Sequence, residues 1–303
     1  MANQPTITTN YTGEFAGKYI AAAVLSANTI ANNGVTVIPN VKFKTTLKKA
    51  VVSGLVTAAS CDFTDTGVVT LSDKVLTVEE KQVNLQVCKT PFQSDWEAAS
   101  MGYSAFDTLP SSFSDFFIAK VLKDIALDTE NFLWSATTGL GKLLKTDGAT
   151  AIATPLAITA SNVITEMGRV VDAIPASIYG NEGLRVYVSQ NVAKAYVRAL
   201  GGFSVAATAN NGVQGLGTQW YNGQELTFDG VKIFVANGLP ANTMVAAEIE
   251  NLFVGFGLAD DQNVVKTIDM QDIDGSKNVR FIARFTRGLQ VGIGADAVTY
   301  GIA

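Results

Sequence analysis

Histidine is absent from all 303 residues. Its absence removes the commonest general acid–base group near neutral pH and the commonest metal ligand. Cysteine occurs only twice, at Cys61 and Cys88, too few for a thiolate metal site of three or four ligands. Carboxylate or lysine chemistry survives these absences, so an enzyme of that kind stays as a distant alternative. Long apolar runs are missing too. The closest candidate, IAAAVLSANTIA over 20–31, is broken by Ser26, Asn28 and Thr29 and falls short of the roughly 18 apolar residues of a membrane span. No basic region precedes an apolar core at the N-terminus, so a soluble protein made in the cytoplasm is expected. That also weighs against an exported adhesin, which the Thr, Asn and Gly content would otherwise suit. Basic charge is scarce: Lys and Arg total 22 against 27 Asp and Glu, for a net charge of −5. A protein that grips nucleic acid through its phosphates clusters basic residues, and no such excess exists here.

What the chain does have is apolar content, 48% of residues, with a mean hydropathy of +0.23. That suits one large folded domain or two smaller ones. Residues 61–88, CDFTDTGVVTLSDKVLTVEEKQVNLQVC, read as a long polar β-hairpin. Val68, Thr70, Val75 and Thr77 are β-formers around a Ser72-Asp73-Lys74 turn signal. A hairpin so charged builds no core alone, because isolated two-stranded ribbons are marginal in water. It must rest on something else, and a neighbouring copy is the candidate. Val68, Val69, Val75, Leu76 and Val78 are the residues expected to face that neighbour.

A helix over 112–136 follows. Ser112 and Asp115 form a capping-box-like start, Gly139 and Gly141 mark the end, and Phe117, Val121, Ile125, Phe132 and Leu133 recur at three- and four-residue steps. A second helix starts at Ser161 with Ile164, Met167, Val171 and Ile174 on one side. A strand at 184–188 and a third helix at 191–200 succeed it. Residues 201–225 read as a glycine-rich loop. Val231, Ile233 and Val235 alternate as a strand, and 251–258 gives another. In the last long strand, Val279, Phe281, Ala283 and Phe285 share one face.

The candidate chemical motifs are weak. Gly139-Leu140-Gly141-Lys142 lacks the spacing of a phosphate loop. Glu79-Glu80 and Asp260-Asp261 would point to opposite sides of a strand. Asp269, Asp272 and Asp274 lack the closing Glu of a twelve-residue calcium loop. No catalytic residue, metal ligand or cofactor is expected.

The run FQSDWEAASMGYSAFDTLPSSFSDFFIAKVLKDIALDTENFLW, followed by SNVITEMGRVVDAIP and LRVYVSQNVAKAYV, resembles the major capsid protein of tailed bacteriophages. The resemblance implies an α+β fold of the Hong Kong 97 type: an N-terminal arm (1–34), peripheral strands leading into the hairpin (35–60), an extended hairpin or E-loop (61–88), a peripheral domain with the spine helix (89–154), an axial domain (155–262), and peripheral C-terminal strands (263–303). It implies no enzyme, but a structural virion protein, assembled in the host cytoplasm, that self-assembles into hexamers and pentamers of an icosahedral head. Implied partners are further copies of itself, a portal, scaffolding and decoration proteins, and packaged double-stranded DNA held without sequence-specific binding; no membrane is involved. The same-fold alternative is an encapsulin-type nanocompartment shell. Some relatives of this fold crosslink neighbouring subunits through a Lys–Asn isopeptide bond. Lys74 fits a donor by position only, so non-covalent assembly is expected. Cys61 and Cys88 lie about equally far from the expected turn; they are either reduced thiols or a disulfide formed after release from the cell.

Overall fold

The computed structural model describes residues 28–54, 56, 58–59, 61, 67–90, 111–200, 226–257 and 265–302. The two larger sheets meet at a common core cluster, and the fourteen-residue strand β12 (Asn278–Val291) organises the first of them. Val279, Phe281, Ala283 and Phe285 alternate along it and are all buried, as period-2 geometry requires of a sheet with one covered face. The cover is helix α1 (Ser111–Trp134), 24 residues and about 36 Å long. Phe117 of α1 stacks on Phe281 with ring centroids 5.5 Å apart. Val121 and Ile125 pack on Ala283 and Phe285. The N-terminal half of β12 runs between β4 (Glu79–Cys88) and β11 (Lys266–Asp269); its C-terminal end pairs with β10 (Leu252–Phe256), which also takes β1 (Thr36–Ile38).

The second sheet has six strands in the order β5 (Thr150–Ala151), β13 (Val298–Tyr300), β9 (Met244–Glu248), β6 (Leu184–Val188), β8 (Val231–Val235), β7 (Thr227–Phe228). Alternation along β6 sends its side chains to two cores. Leu184, Val186 and Val188 meet Met167, Val170 and Tyr196 of helices α3 (Val163–Asp172) and α4 (Gln190–Leu200). Tyr187 turns the other way, towards Leu133 and Trp134 of α1 and Leu140 and Leu144 of α2 (Leu140–Thr146). That second core also holds Leu252, Val254 and Val291 of the first sheet, so both sheets share Trp134 as a common centre.

Several expectations are corrected. The hairpin is not 61–88 with a turn at Ser72–Lys74. Strands β2 (Lys44–Ser53) and β3 (Val68–Thr77) form it, paired in register from Lys44↔Thr77 to Ser53↔Val68, with the tip within 54–67. Ser72, Asp73 and Lys74 lie mid-strand opposite Lys49, Lys48 and Leu47. They are polar because most of this ribbon is wet, not because the chain turns there. Single residue Val78 separates β3 from β4, and β4 belongs to the first sheet.

The domain limits shift as well. β10 falls in the expected axial span yet pairs with β12, while β5 and β13 fall in peripheral spans yet join the six-stranded sheet. Only the short turn at Ile249–Asn251 separates β9 from β10, so the chain changes sheets without any break in composition. On α3, Ile164 is exposed and Val163 takes the inward place, giving the buried set Val163, Met167, Val170 and Val171. Gly141 does not end α1: it sits inside α2, and α1 stops at Trp134. The side chains of Ser112 and Asp115, the loop at 201–225, Asp260-Asp261 and residues 1–27 of the arm lie outside the described residues.

The base of the hairpin crosses the first sheet at a glycine saddle. Gly255 and Gly288 are register partners on β10 and β12. A Cβ on Gly255 would stand 2.4 Å from Leu76, and one on Gly288 would stand 2.1 Å from the Thr77 carbonyl oxygen. Only glycine permits that approach, and it lets Leu76 sink to 0% exposure. Truncating Leu76 to alanine should cost about 2–5 kcal/mol, read as a lower urea midpoint; an unchanged midpoint would contradict this anchoring.

Candidate assembly interface

Three features meet water or a future neighbour: the hairpin, its anchorage, and the root of the N-terminal segment. Ten residue pairs make the hairpin about 33 Å long. Side chains alternate between its two faces. Leu76, Lys74, Ser72 and Thr70 face one way with Leu47 and Lys49, and the body covers this side at its base. Val69, Leu71, Asp73 and Val75 face the other way with Lys44, Thr46 and Lys48. On this outer face Val69 is 61% exposed, Leu71 77% and Val75 45%. This face carries an apolar row standing in water on a two-stranded ribbon.

The five residues expected at a neighbour therefore divide. Val69 and Val75 lie on the outer row, and Val68 is exposed on the opposite face beyond the body. Leu76 is the chain's own core and Val78 is half-buried beside the Gly255 saddle, so neither is free for a neighbour. Leu71, the most exposed of the β3 apolar residues, was missed because the supposed turn next to it hid the alternation Val69, Leu71, Val75.

Lys74 stands at the base rather than the tip. It pairs with Asp147, which caps α2, and donates to the Val291 carbonyl at 3.1 Å. Asp147 also accepts from the Gly294 N–H at 2.7 Å. Gln290 Nε2 donates to the Val75 carbonyl at 2.8 Å, completing the anchorage. Cys61 sits at the exposed tip, while Cys88 ends β4 opposite Asn278, and both are free thiols. The corrected register puts β3 and β4 between them and does not bring them together. Alkylating the unfolded protein without reductant should label both; uptake that needs prior reduction would contradict this.

The root of the N-terminal segment is pinned by a buried carboxylate that the sequence reading missed. Glu130 of α1, 0% exposed, accepts from the Thr29 N–H at 3.2 Å, from the Thr29 hydroxyl, and from the Gly238 N–H. Trp134 Nε1 donates to the same Thr29 hydroxyl at 3.0 Å. Asn28 reaches the Val235 carbonyl and receives the Asn237 N–H at 3.2 Å. Burial pushes the Glu130 carboxyl above its ordinary range, against these hydrogen bonds. Its signal in the sequence was a carboxylate one helical turn from Leu133 and Trp134, on an otherwise apolar side. The node ties the chain entering at Thr29 to the spine helix and to the turn after β8.

Other charged groups are structural. Arg287 on β12 pairs with Asp128 at 2.7 Å and lies over the Phe132 ring at 4.2 Å. Lys89, 2% exposed, pairs with Asp269 at 2.6 Å, taking that carboxylate out of the acidic turn near Asp272 and Asp274. Glu79 pairs with Lys81, which holds its carboxyl below the usual range. Among the described residues no three His, Cys, Asp or Glu side chains group as a metal site, and no helix is long and apolar enough to cross a membrane.

These elements (long hairpin, spine helix under a long sheet strand, second α/β lobe) define an α+β fold of the Hong Kong 97 capsid type. Among solved structures, a chain from the capsid of cyanophage P-SCSP1u is 13% identical over 96% of this chain and 92% of its own, with a TM-score of 0.60. One from the capsid of a native GTA particle is 13% identical over 95% and 94%, TM-score 0.59. One from the capsid of Myoviridae phage XM1 is 15% identical over 95% and 96%, TM-score 0.57. No protein-family model and no curated protein matches the sequence.

Proposed function

We propose that this chain is the major capsid protein of a tailed phage: a structural protein, not an enzyme, that assembles as hexamers and pentamers into an icosahedral head around double-stranded DNA. The observation that carries the reading is the exposed row Val69, Leu71 and Val75 on a hairpin whose anchoring contacts, among the described residues, lie at its base. Each such side chain gains about 1.5–3 kcal/mol when removed from water, and the next copy in a shell is the surface that covers it. Repetition over closed symmetry makes a modest contact sufficient. Thr29 is pinned to the spine helix, which suits an N-terminal arm that runs beneath neighbours. With a net charge of −5, the wall lets packaged DNA slide rather than gripping it. Portal, scaffolding and decoration proteins are the further partners, and the head is built in the host cytoplasm.

Native particles purified with their contents test this. Absorbance typical of nucleic acid, with DNA released on disruption, is expected. Shells filled with a cargo enzyme instead would make the chain an encapsulin-type shell.

A further inference from the structure

Among the described residues, the anchorage of the hairpin stops at Lys74. Leu76 is buried in the glycine saddle, the Val75 carbonyl accepts from Gln290, and Lys74 holds Asp147 and the Val291 carbonyl. One and two pairs further out, Lys48 faces Asp73 and Lys49 faces Ser72 across the ribbon. Among the described residues, neither lysine makes a salt bridge or side-chain hydrogen bond to the body.

Beneath this part lies an open cleft of about 400 Å³. Lys48, Lys49 and Lys74 line its hairpin side. Glu248, Glu250 and Asp296 line the body side, and Leu47, Phe253 and Ile293 add apolar surface. Opposite charges thus face each other across water, above apolar surface that closure would dry. A two-stranded ribbon has no third strand or packed helix to resist bending.

We propose that the hairpin is a hinged strap: it pivots on the Leu76–Lys74 anchor and closes over the cleft, bringing Lys49, which shares the body-side face with Lys74, onto Glu250 and Asp296. The open position is the one described above. The closed one tilts the Val69–Leu71–Val75 row relative to the body, so the strap has two angles at which to present that row. Attraction across a wet cleft is screened when the Debye length falls to about 3 Å in 1 M salt, so high salt favours the open position. The device stands independently of the shell reading, because both walls of the cleft belong to one chain.

A zero-length carbodiimide, which joins an amine to a carboxylate only on contact, reads the closed position directly. The full chain is prepared as a mixture of ¹⁴N and ¹⁵N protein, treated at low salt and in 1 M NaCl, and digested for mass spectrometry. The Lys74–Asp147 link, already in contact, serves as the internal control. Expected are links from Lys49 to Glu250 or Asp296, within single-isotope molecules, falling several-fold in high salt while the control persists. A control link without the cleft links would overturn the proposal. So would cleft links of mixed isotope, which come from two copies, or links indifferent to salt. Glu250→Gln with Asp296→Asn should abolish the cleft links and spare the control.

Discussion

Replacing Leu71 and Val75 together with aspartate should leave folded, soluble subunits that build no shells. Both side chains stand in water in the subunit, at 77% and 45% exposure, and surface substitutions of this kind usually change stability by only about 0.5 kcal/mol. In the assembled contact the same residues would be covered, so each copy would lose the apolar gain and would bury carboxylates without partners. A loss of about 3 kcal/mol per contact weakens it more than ~100-fold, repeated at every hairpin of the shell. Circular dichroism and urea unfolding should match the parent chain while sedimentation finds no particles. Normal particles from this double variant would remove the outer row from the assembly account. Leu76→Asp, by contrast, should fail at folding, which separates the two sides of the strand.

The second large effect belongs to Glu130. Truncation to alanine strips acceptors from the Thr29 N–H, the Thr29 hydroxyl and the Gly238 N–H in a buried site. Each buried group left unmatched costs about 1–3 kcal/mol, so Glu130→Ala should lose about 3 kcal/mol or more. The pH dependence has a definite sign. Burial raises the carboxyl's pKa in the folded state, so the native state holds its proton more tightly than the unfolded chain does. This group's contribution to stability is fully present below the ordinary carboxylate pKa and is lost as pH rises through the raised one. Glu130→Gln cannot ionise and should flatten that slope in urea midpoints measured across the acidic range. An identical slope in parent and Gln variant would contradict the assignment.

The parts legible in the sequence are those whose burial is one-sided and periodic. β12 announces itself because the helix covers one face and water or polar partners meet the other, so Val279, Phe281, Ala283 and Phe285 alternate cleanly. Helix α1 is readable for the same reason at a different period. The hairpin was displaced because a ribbon with two wet faces carries no such signature. Ser72-Asp73-Lys74 mimics a turn, although the matched runs KTTLKKAVVS and VVTLSDKVLT, flanking a stretch that contains Gly54 and Gly67, mark the true strands. Membership of β10 and β13 in one sheet or the other depends on which partner the chain reaches after a three-residue turn, and composition is silent on that. The Glu130 node was missed because its partners, Thr29 and Gly238, lie 101 and 108 residues away. Leu76 was read as outward although alternation sets it opposite Val75, because its cover, a pair of glycines on β10 and β12, offers no apolar side chain to notice.

Electron microscopy of the purified chain, alone and then co-expressed with its genomic neighbours, addresses the central claim most directly. The account predicts closed shells of uniform size, built from six- and five-fold clusters, with each hairpin crossing onto the adjacent copy along its Val69–Leu71–Val75 face. A chain that stays monomeric or forms only small oligomers under both conditions would contradict it.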